Sequence, residues 1–318
     1  MKVLVTAIGS MASDAVIRSL REGWQTAKII GTDIHPGEWL FQSRFTDQFF
    51  RVPRSDHPNY LQKMSEICHE HKIDYVIPLI DPEVDFFAIK RAQFEEMGTK
   101  ICISGTESIK QCRNKLVLYQ LFKEDEDVSV IPTYTHLGNA EKYHSYPLIV
   151  KPRKGRSSEG IQILKERTEF GYSAFQTGLS IVQPYYGGDI FTVDIIRDFL
   201  GNCISIPRKE LIRSKIGAGL TVEIKGNKIL EKLSEIVVEK LDITGAINIE
   251  FLYRDGKYYL MDINPRFSAG VSFTNQSGYD IVKSLMNIMM GNELYPKTDI
   301  QAGIYMKYYA EELRKKLT

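Results

Sequence analysis

The sequence predicts two units in series: an α/β unit on a parallel sheet, then an α+β unit. Three observations carry this. Short apolar runs alternate with helical patterns through the first hundred residues, and after Ser104 that rhythm gives way to many short strands. The chain, at 318 residues, is also long enough for about two domains that each bury a core.

In the first unit the apolar runs are Val3 to Ala7, Lys28 to Asp33, Tyr75 to Ile80 and Lys100 to Ser104. The helical patterns are Ala12 to Arg21, Leu61 to His71 and Glu83 to Met97. Such rotation implies parallel strands joined by crossover helices. The first strand runs into Ile8-Gly9-Ser10-Met11-Ala12-Ser13 and the second ends in Asp33, where a dinucleotide-binding fold carries its phosphate loop and ribose carboxylate. Of the three glycines that loop needs, only Gly9 is present, so the unit reads as a Rossmann-like scaffold without a nicotinamide site. Gly9 and Ser10 still qualify as pocket walls, because open α/β sheets bind ligands at strand carboxyl ends.

The boundary falls near Gly105. Beyond it, Ser108 to Phe122 reads as one helix and Val130 to Thr133 as an extended entry to new structure. From Pro147 short strands dominate, with helices at Lys228 to Lys240 and Asp280 to Met290, and the first unit is not repeated.

Composition narrows the function classes. With 41 Lys plus Arg against 40 Asp plus Glu, no global field draws in nucleic acid or an anionic membrane, so any anion site is local. The four cysteines are scattered without a C-x-x-C pair, and the N-terminal apolar run is too short for a secretory core. The apolar stretch Ile281 to Met290 contains Lys283, Ser284 and Asn287 and falls far short of the roughly 20 residues of a membrane helix. A reduced, cytoplasmic protein is expected, with its oligomeric state open, a homodimer included.

Three segments carry chemistry. In the first, Leu148-Ile149-Val150-Lys151-Pro152 ends an apolar strand in a lysine, and Arg153-Lys154-Gly155-Arg156-Ser157-Ser158-Glu159-Gly160 follows. Cations, hydroxyls and glycines in that mixture suit a loop folded over polyphosphate, and equally a solvated basic hairpin. The second is a hairpin, Gly245 to Phe251 and Tyr258 to Arg266. Period-two alternation puts Asn248 and Glu250 on one face of its first strand, and Asp262 and Asn264 on one face of the second. A three-residue loop, Arg254-Asp255-Gly256, would set Glu250 opposite Asp262 and Asn248 opposite Asn264. Two facing carboxylates repel unless a hard divalent cation lies between them, which makes the pair a metal candidate. The third segment is Arg208, Lys209, Arg213 and Lys215 around Gly217-Ala218-Gly219, either a clamp for a carboxylate or acyl phosphate or a solvated basic strand pair.

Taken in order, Asn114-Lys115, Leu148 to Pro152 with its loop, Ile181 to Asp194 and Asp262-Ile263-Asn264-Pro265-Arg266 resemble the ATP-grasp superfamily. The similarity is greatest to the branch of the carbamoyl phosphate synthase large subunit and carboxylate-amine ligases, and D-x-N-P-R is its most specific element. The resemblance implies a preATP-grasp domain over residues 1–105 and an ATP-grasp domain over 106–318, with a nucleotide lobe at about 106–186 and a metal and catalytic lobe at about 187–318. It implies that Lys115 and Lys151 hold ATP phosphates and that Arg153, Lys154, Gly155, Ser157, Ser158 and Gly160 belong to a phosphate-covering loop. Gln183, Pro184, Tyr185 and Tyr186 fall on the adenine-reading hinge and Asp189 on the ribose position. Glu250, Asp262 and Asn264 fall on ligands of Mg²⁺, or of Mn²⁺ in its place. Arg266 matches an arginine beside the transferred phosphoryl group, making Arg266 and Lys151 the catalytic candidates. Pro184 stands where many members have glutamate, and Asp189 is one methylene shorter than the common residue.

The implied activity is an ATP- and Mg²⁺-dependent ligase for a small carboxylate and an amine. Alternatives are a carbamoyl-phosphate-synthase-like subunit or carboxylate kinase, and a non-catalytic nucleotide-binding module.

Overall fold

The computed structural model describes residues 1–155, 159–169, 178–297 and 299–313. The first unit contains β1 (Lys2–Val5), α1 (Ser13–Gly23), β2 (Lys28–Asp33), β3 (Gln48–Arg51), α2 (Tyr60–His71), β4 (Tyr75–Ile77), α3 (Asp81–Glu96) and β5 (Lys100–Ile101). Its strands lie in the order β3-β2-β1-β4-β5, all parallel. Strand β3 escaped the sequence reading because Gln48-Phe49-Phe50-Arg51 is a short edge strand with exposed polar ends. The order reverses between β1 and β4, so the carboxyl-end crevice opens between the turn after β1 and the start of α3. In that crevice Asp33 Oδ2 accepts from the Gly9 amide at 2.9 Å and Oδ1 from the His35 amide at 3.0 Å, so this carboxylate braces the loop.

Next come α4 (Thr106–Cys112), α5 (Lys115–Phe122), β6 (Ser129–Val130), α6 (Leu137–Tyr143), β7 (Leu148–Pro152), β8 (Gln162–Leu164) and β9 (Ser180–Pro184). The single helix expected over 108–122 is two, because the Asn114 side chain caps a fresh start by accepting from the Val117 amide. Strands β8-β7-β9 form a small antiparallel sheet closed by α6 over Leu137, Ala140, Leu148, Val150, Leu164 and Val182.

The last part holds β10 (Asp189–Arg197), β11 (Cys203–Arg213), β12 (Gly219–Ile224), α7 (Lys228–Lys240), β13 (Gly245–Arg254), β14 (Lys257–Asn264), α8 (Val271–Gln276), α9 (Ile281–Met289) and β15 (Gly303–Met306). They build a seven-stranded sheet in the order β15-β12-β11-β10-β13-β14-β6, antiparallel except where β6 joins β14. One face of β10 and β13 buries Val193, Ile195, Ile247, Ile249 and Phe251 with residues of α7. The other face is polar and carries the candidate site residues Glu250, Asp262 and Asn264.

The β13–β14 turn differs from expectation. Arg254 pairs with Lys257 across a two-residue turn, with Asp255 and Gly256 both at positive φ. Alone, that turn would put Asp262 on the wrong face. A bulge at Met261 inserts one residue between the Phe251–Leu260 and Glu250–Asp262 pairs, and the expected partners meet. Among the described residues no helix is long and apolar enough to cross a membrane.

Candidate active site

Strand pairing gathers the polar residues into rows. Across β11, β10, β13 and β14, Arg208, Thr192, Glu250 and Asp262 are successive partners, and in the next row Asp194, Asn248 and Asn264 are. Directly opposed residues share a face, so alternation along each strand turns both rows the same way.

Cations from α5, β11 and β7 meet this face. Lys115, at the start of α5, places Nζ 3.0 and 3.1 Å from the Asp262 oxygens. Arg213 donates to Glu250 Oε2 at 2.8 Å. Burial raises the Glu250 pKa, Arg213 opposes the rise, and the charges of Asp262 and Glu210 add to it. Lys151, from β7 of the small sheet, is 7% exposed and lines the same cleft. Burial and then the charge of Lys115 lower its pKa to about 8, against the pull of Asp262 and Glu250. The cleft is a cavity of about 220 Å³. Asn264 and Asn248 lock the floor, with Asn264 Nδ2 donating to Asn248 Oδ1 at 3.1 Å and Asn248 Nδ2 to the Arg266 carbonyl at 3.0 Å.

Arg266 turns toward the first unit. Its Nε and Nη2 donate to the two oxygens of Asp81 at 2.9 Å each, and Arg113 Nη1 stands 3.4 Å from the same carboxylate. Asp81 opens α3 at the switch-point crevice, so the ligand position of the Rossmann-like sheet receives the strand that ends the metal candidates.

The remaining candidates are spread more widely. Gly155 lines the cleft, Lys154 is exposed, and Gly160 occupies a turn at positive φ. Ser157 and Ser158 lie outside the described residues. Arg153 does not line the cleft; it donates to the Gly178 carbonyl at 3.1 Å and to Asn114 Oδ1 at 3.4 Å. Gln183 is buried, its Nε2 donating to Thr133 Oγ1 at 2.7 Å, and it shares with Ile131, Leu260 and Met261 a narrow crevice reached past Lys115. Pro184 pairs with Leu148, and the Tyr185 amide is committed to the Pro147 carbonyl at 3.0 Å. Tyr186 packs edge-on to Tyr259 under Arg254. Asp189 lies apart from the cleft, its Oδ2 held 2.7 Å from Lys209 Nζ.

The basic cluster of 208–215 is therefore no single clamp. Arg208 is buried, Lys209 holds Asp189, Arg213 holds Glu250, and Lys215 is exposed. The sequence reading also passed over Asp81, Thr192, Asp194 and Glu210. Polar residues two apart within the apolar strands β10 and β11 were the available signal for the last three.

The ATP-grasp domain model matches residues 112–270, half of the chain. The chain belongs to the ATP-grasp family. Residues 3–102 match the PylC-like N-terminal domain. The carbamoyl phosphate synthase large chain of Thermoplasma acidophilum is 23% identical over 289 residues, covering 79% of this chain and 26% of that one. That of Thermoplasma volcanium is 23% identical over 318 residues, covering 92% and 30%. The ATP-grasp chain thus spans less than a third of the length of these relatives. Among solved structures, biotin carboxylase from Campylobacter jejuni superposes with a TM-score of 0.79 at 18% identity, covering 95% of this chain and 74% of its own. N5-carboxyaminoimidazole synthetase from Staphylococcus aureus, complexed with ADP, gives 0.78 at 14%, covering 96% and 82%. At these identities the likeness shows the fold.

Proposed function

We propose that the cleft is the active site of an ATP-dependent ligase that activates a small carboxylate as an acyl phosphate and passes the acyl group to an amine. One observation carries this reading. Two carboxylates, Glu250 and Asp262, face two lysines, Lys115 and Lys151, that arrive from a separate helix and a separate sheet. Such a site suits the mixed charge of a polyphosphate and a divalent cation.

The donor set fits a hard divalent cation. Glu250, Asp262 and Asn264 offer oxygen on adjacent strands, and in the chain alone Arg213 and Lys115 occupy the two carboxylates. Bound there, Mg²⁺, or Mn²⁺ in its place, supplies positive charge to the phosphates. Lys151, poorly solvated and without an ion-pair partner among the described residues, takes a phosphoryl oxygen readily. Lys115 shifts between Asp262 and phosphate. Leu260, Ile131 and Met261 offer apolar walls for a base, with Gln183 beside them. Arg153, Lys154, Gly155, Ser157, Ser158 and Gly160 belong to the covering loop in this reading, while Pro184, Tyr185, Tyr186 and Asp189 flank the nucleotide from outside the cleft. Arg266, fixed by Asp81, stands at the transferred phosphoryl group. Catalysis then rests on positioning and charge rather than on a nucleophile.

The carbamoyl phosphate synthase relatives favour a second reading, carboxylate phosphorylation without ligation. We further infer a reducing, cytoplasmic setting from four free cysteines, three of them buried.

The test is ADP and phosphate release over a panel of small carboxylates and amines, with Asp262→Asn as control. The ligase releases both in equal amounts when carboxylate and amine are present, and the variant loses at least 100-fold while folding normally. Full turnover by the variant refutes the metal role. A carboxylate-dependent acyl phosphate that persists with amine present establishes the kinase instead.

A further inference from the structure

Within the basic cluster at 208–215, Arg213 both lines the cleft and holds a metal candidate. It ends β11 and reaches Glu250 on β13, two strands away. Its Nε and Nη2 donate to the Gly217 carbonyl at 2.9 and 2.5 Å, which pins one side of the guanidinium to the β11–β12 turn. Nη2 also donates to Glu250 Oε2 at 2.8 Å. Nη1, the other arm of the fork, has no partner among the described residues. A guanidinium fork matches a carboxylate through two parallel N–H groups, so Glu250 holds Arg213 by one arm of a two-armed receptor.

The cleft has two ends. Lys115, on Asp262, stands at the β14 end, and the narrow crevice with Ile131, Leu260 and Met261 is reached past it, so phosphates and base belong there. Arg213 stands at the β11 end with Ile216, Gly217, Ala218 and Gly219, none of which lines that crevice. A divalent cation on Glu250 changes the balance of charge at this end. It draws the carboxylate to itself and sets a second positive charge beside the guanidinium, where Glu250 and Arg213 are both only partly exposed. Arg213 is then short of an anion. Its tether to the Gly217 carbonyl keeps the fork at the cavity wall, where another carboxylate can take both arms.

Resting on the reading of the cleft as a carboxylate-activating site, we propose that Arg213 receives the substrate's carboxylate, and that Glu250 occupies it as a placeholder until a divalent cation takes Glu250. Metal binding thereby opens the substrate position. Glu250 exchanges Arg213 for the metal, and Arg213 exchanges one carboxylate for another, so neither charge is left bare at any stage. The cavity, about 220 Å³ before any phosphate enters, limits the substrate to a small carboxylate. Inorganic phosphate also presents paired oxygens to a guanidinium, so it forms a separate arm of the test.

The test is calorimetric titration of formate, acetate, succinate, bicarbonate, the common amino acids and inorganic phosphate into the full chain, first with a chelator and then with Mg·ADP. At least one carboxylate binds, at least 10-fold more tightly with Mg·ADP. Glu250→Gln removes the placeholder's charge, so with chelator it binds that carboxylate at least 10-fold more tightly than the normal chain does. Arg213→Met weakens the carboxylate at least 10-fold and Mg·ADP less than 3-fold. Should that variant fail to fold, Arg213→Lys keeps the charge without the fork and gives the same selective loss. Binding of no carboxylate, binding of phosphate alone, affinity indifferent to the metal, no gain in Glu250→Gln, or no loss in the folded Arg213 variants overturns the proposal. A carboxylate held by the metal itself gives the last two of these results. Carboxylate-dependent ADP release without Arg213-dependent binding sinks this inference alone, while metal-gated binding at Arg213 without ADP release sinks the ligase reading and leaves this one standing.

Discussion

At the scale of single residues the site is built from charges held out of water. Lys151 is the clearest case, since its pKa falls from the ordinary 10.5 to about 8 through burial and the nearby Lys115. Below about pH 8 the folded and unfolded chains both carry the proton, and the folded state bears the full penalty of an ammonium out of water. Between about 8 and 10.5 the folded chain releases its proton first, so this contribution to stability rises with pH. Lys151→Met should therefore stabilise the chain by roughly 1–3 kcal/mol at pH 7, with the gain shrinking toward pH 10.5, while Mg·ATP affinity falls. Urea unfolding at pH 7 and pH 10 reads this directly. A variant destabilised equally at both values contradicts it. Lys151 was legible in the sequence because it ends an apolar strand before a basic, glycine-containing loop. Glu210 was not, because a glutamate within Arg208-Lys209-Glu210 looks like ordinary surface charge until the strand pairing shows which side faces inward.

Among elements, the hairpin shows both the reach and the limit of sequence reading. Alternation alone gives the faces of Asn248, Glu250, Asp262 and Asn264, since period two leaves no choice within a strand. Register between strands depends on the turn and on any bulge. The Asp255-Gly256 turn suits two left-handed residues, and the bulge at Met261 has no local signature, so the right pairing arises by a route other than the expected one. The clamp between α3 and the end of β14 was likewise hidden, because Asp81 and Arg266 lie 185 residues apart. Asp81→Asn leaves Arg266 and Arg113 partly uncompensated and should cost roughly 2–4 kcal/mol in chemical denaturation. Unchanged stability would show that the clamp carries no load.

At the scale of the whole molecule, one apolar core runs through both units. Val3, Ile17 and Leu20 of the parallel-sheet unit share a cluster with Ile206, Val222, Val282 and Leu285 of the second. Across this junction Asp81 reaches Arg266, which lines the cleft. Two units were legible from the change of rhythm after Ser104. Their docking was not, since the apolar faces that meet, those of α1 and α9, are each amphipathic alone and name no partner. The outcome is a cleft in which residues from α5, β7, β11, β13 and β14 line one cavity, the arrangement on which the ligase reading rests. The most direct test of that reading follows one atom. With a carboxylate substrate labelled with heavy oxygen in its carboxyl group, an acyl phosphate passes one labelled oxygen to the phosphate released when the amine attacks. Mass spectrometry should find one labelled oxygen in each phosphate formed per product, and phosphate released without label would contradict carboxylate activation in this cleft.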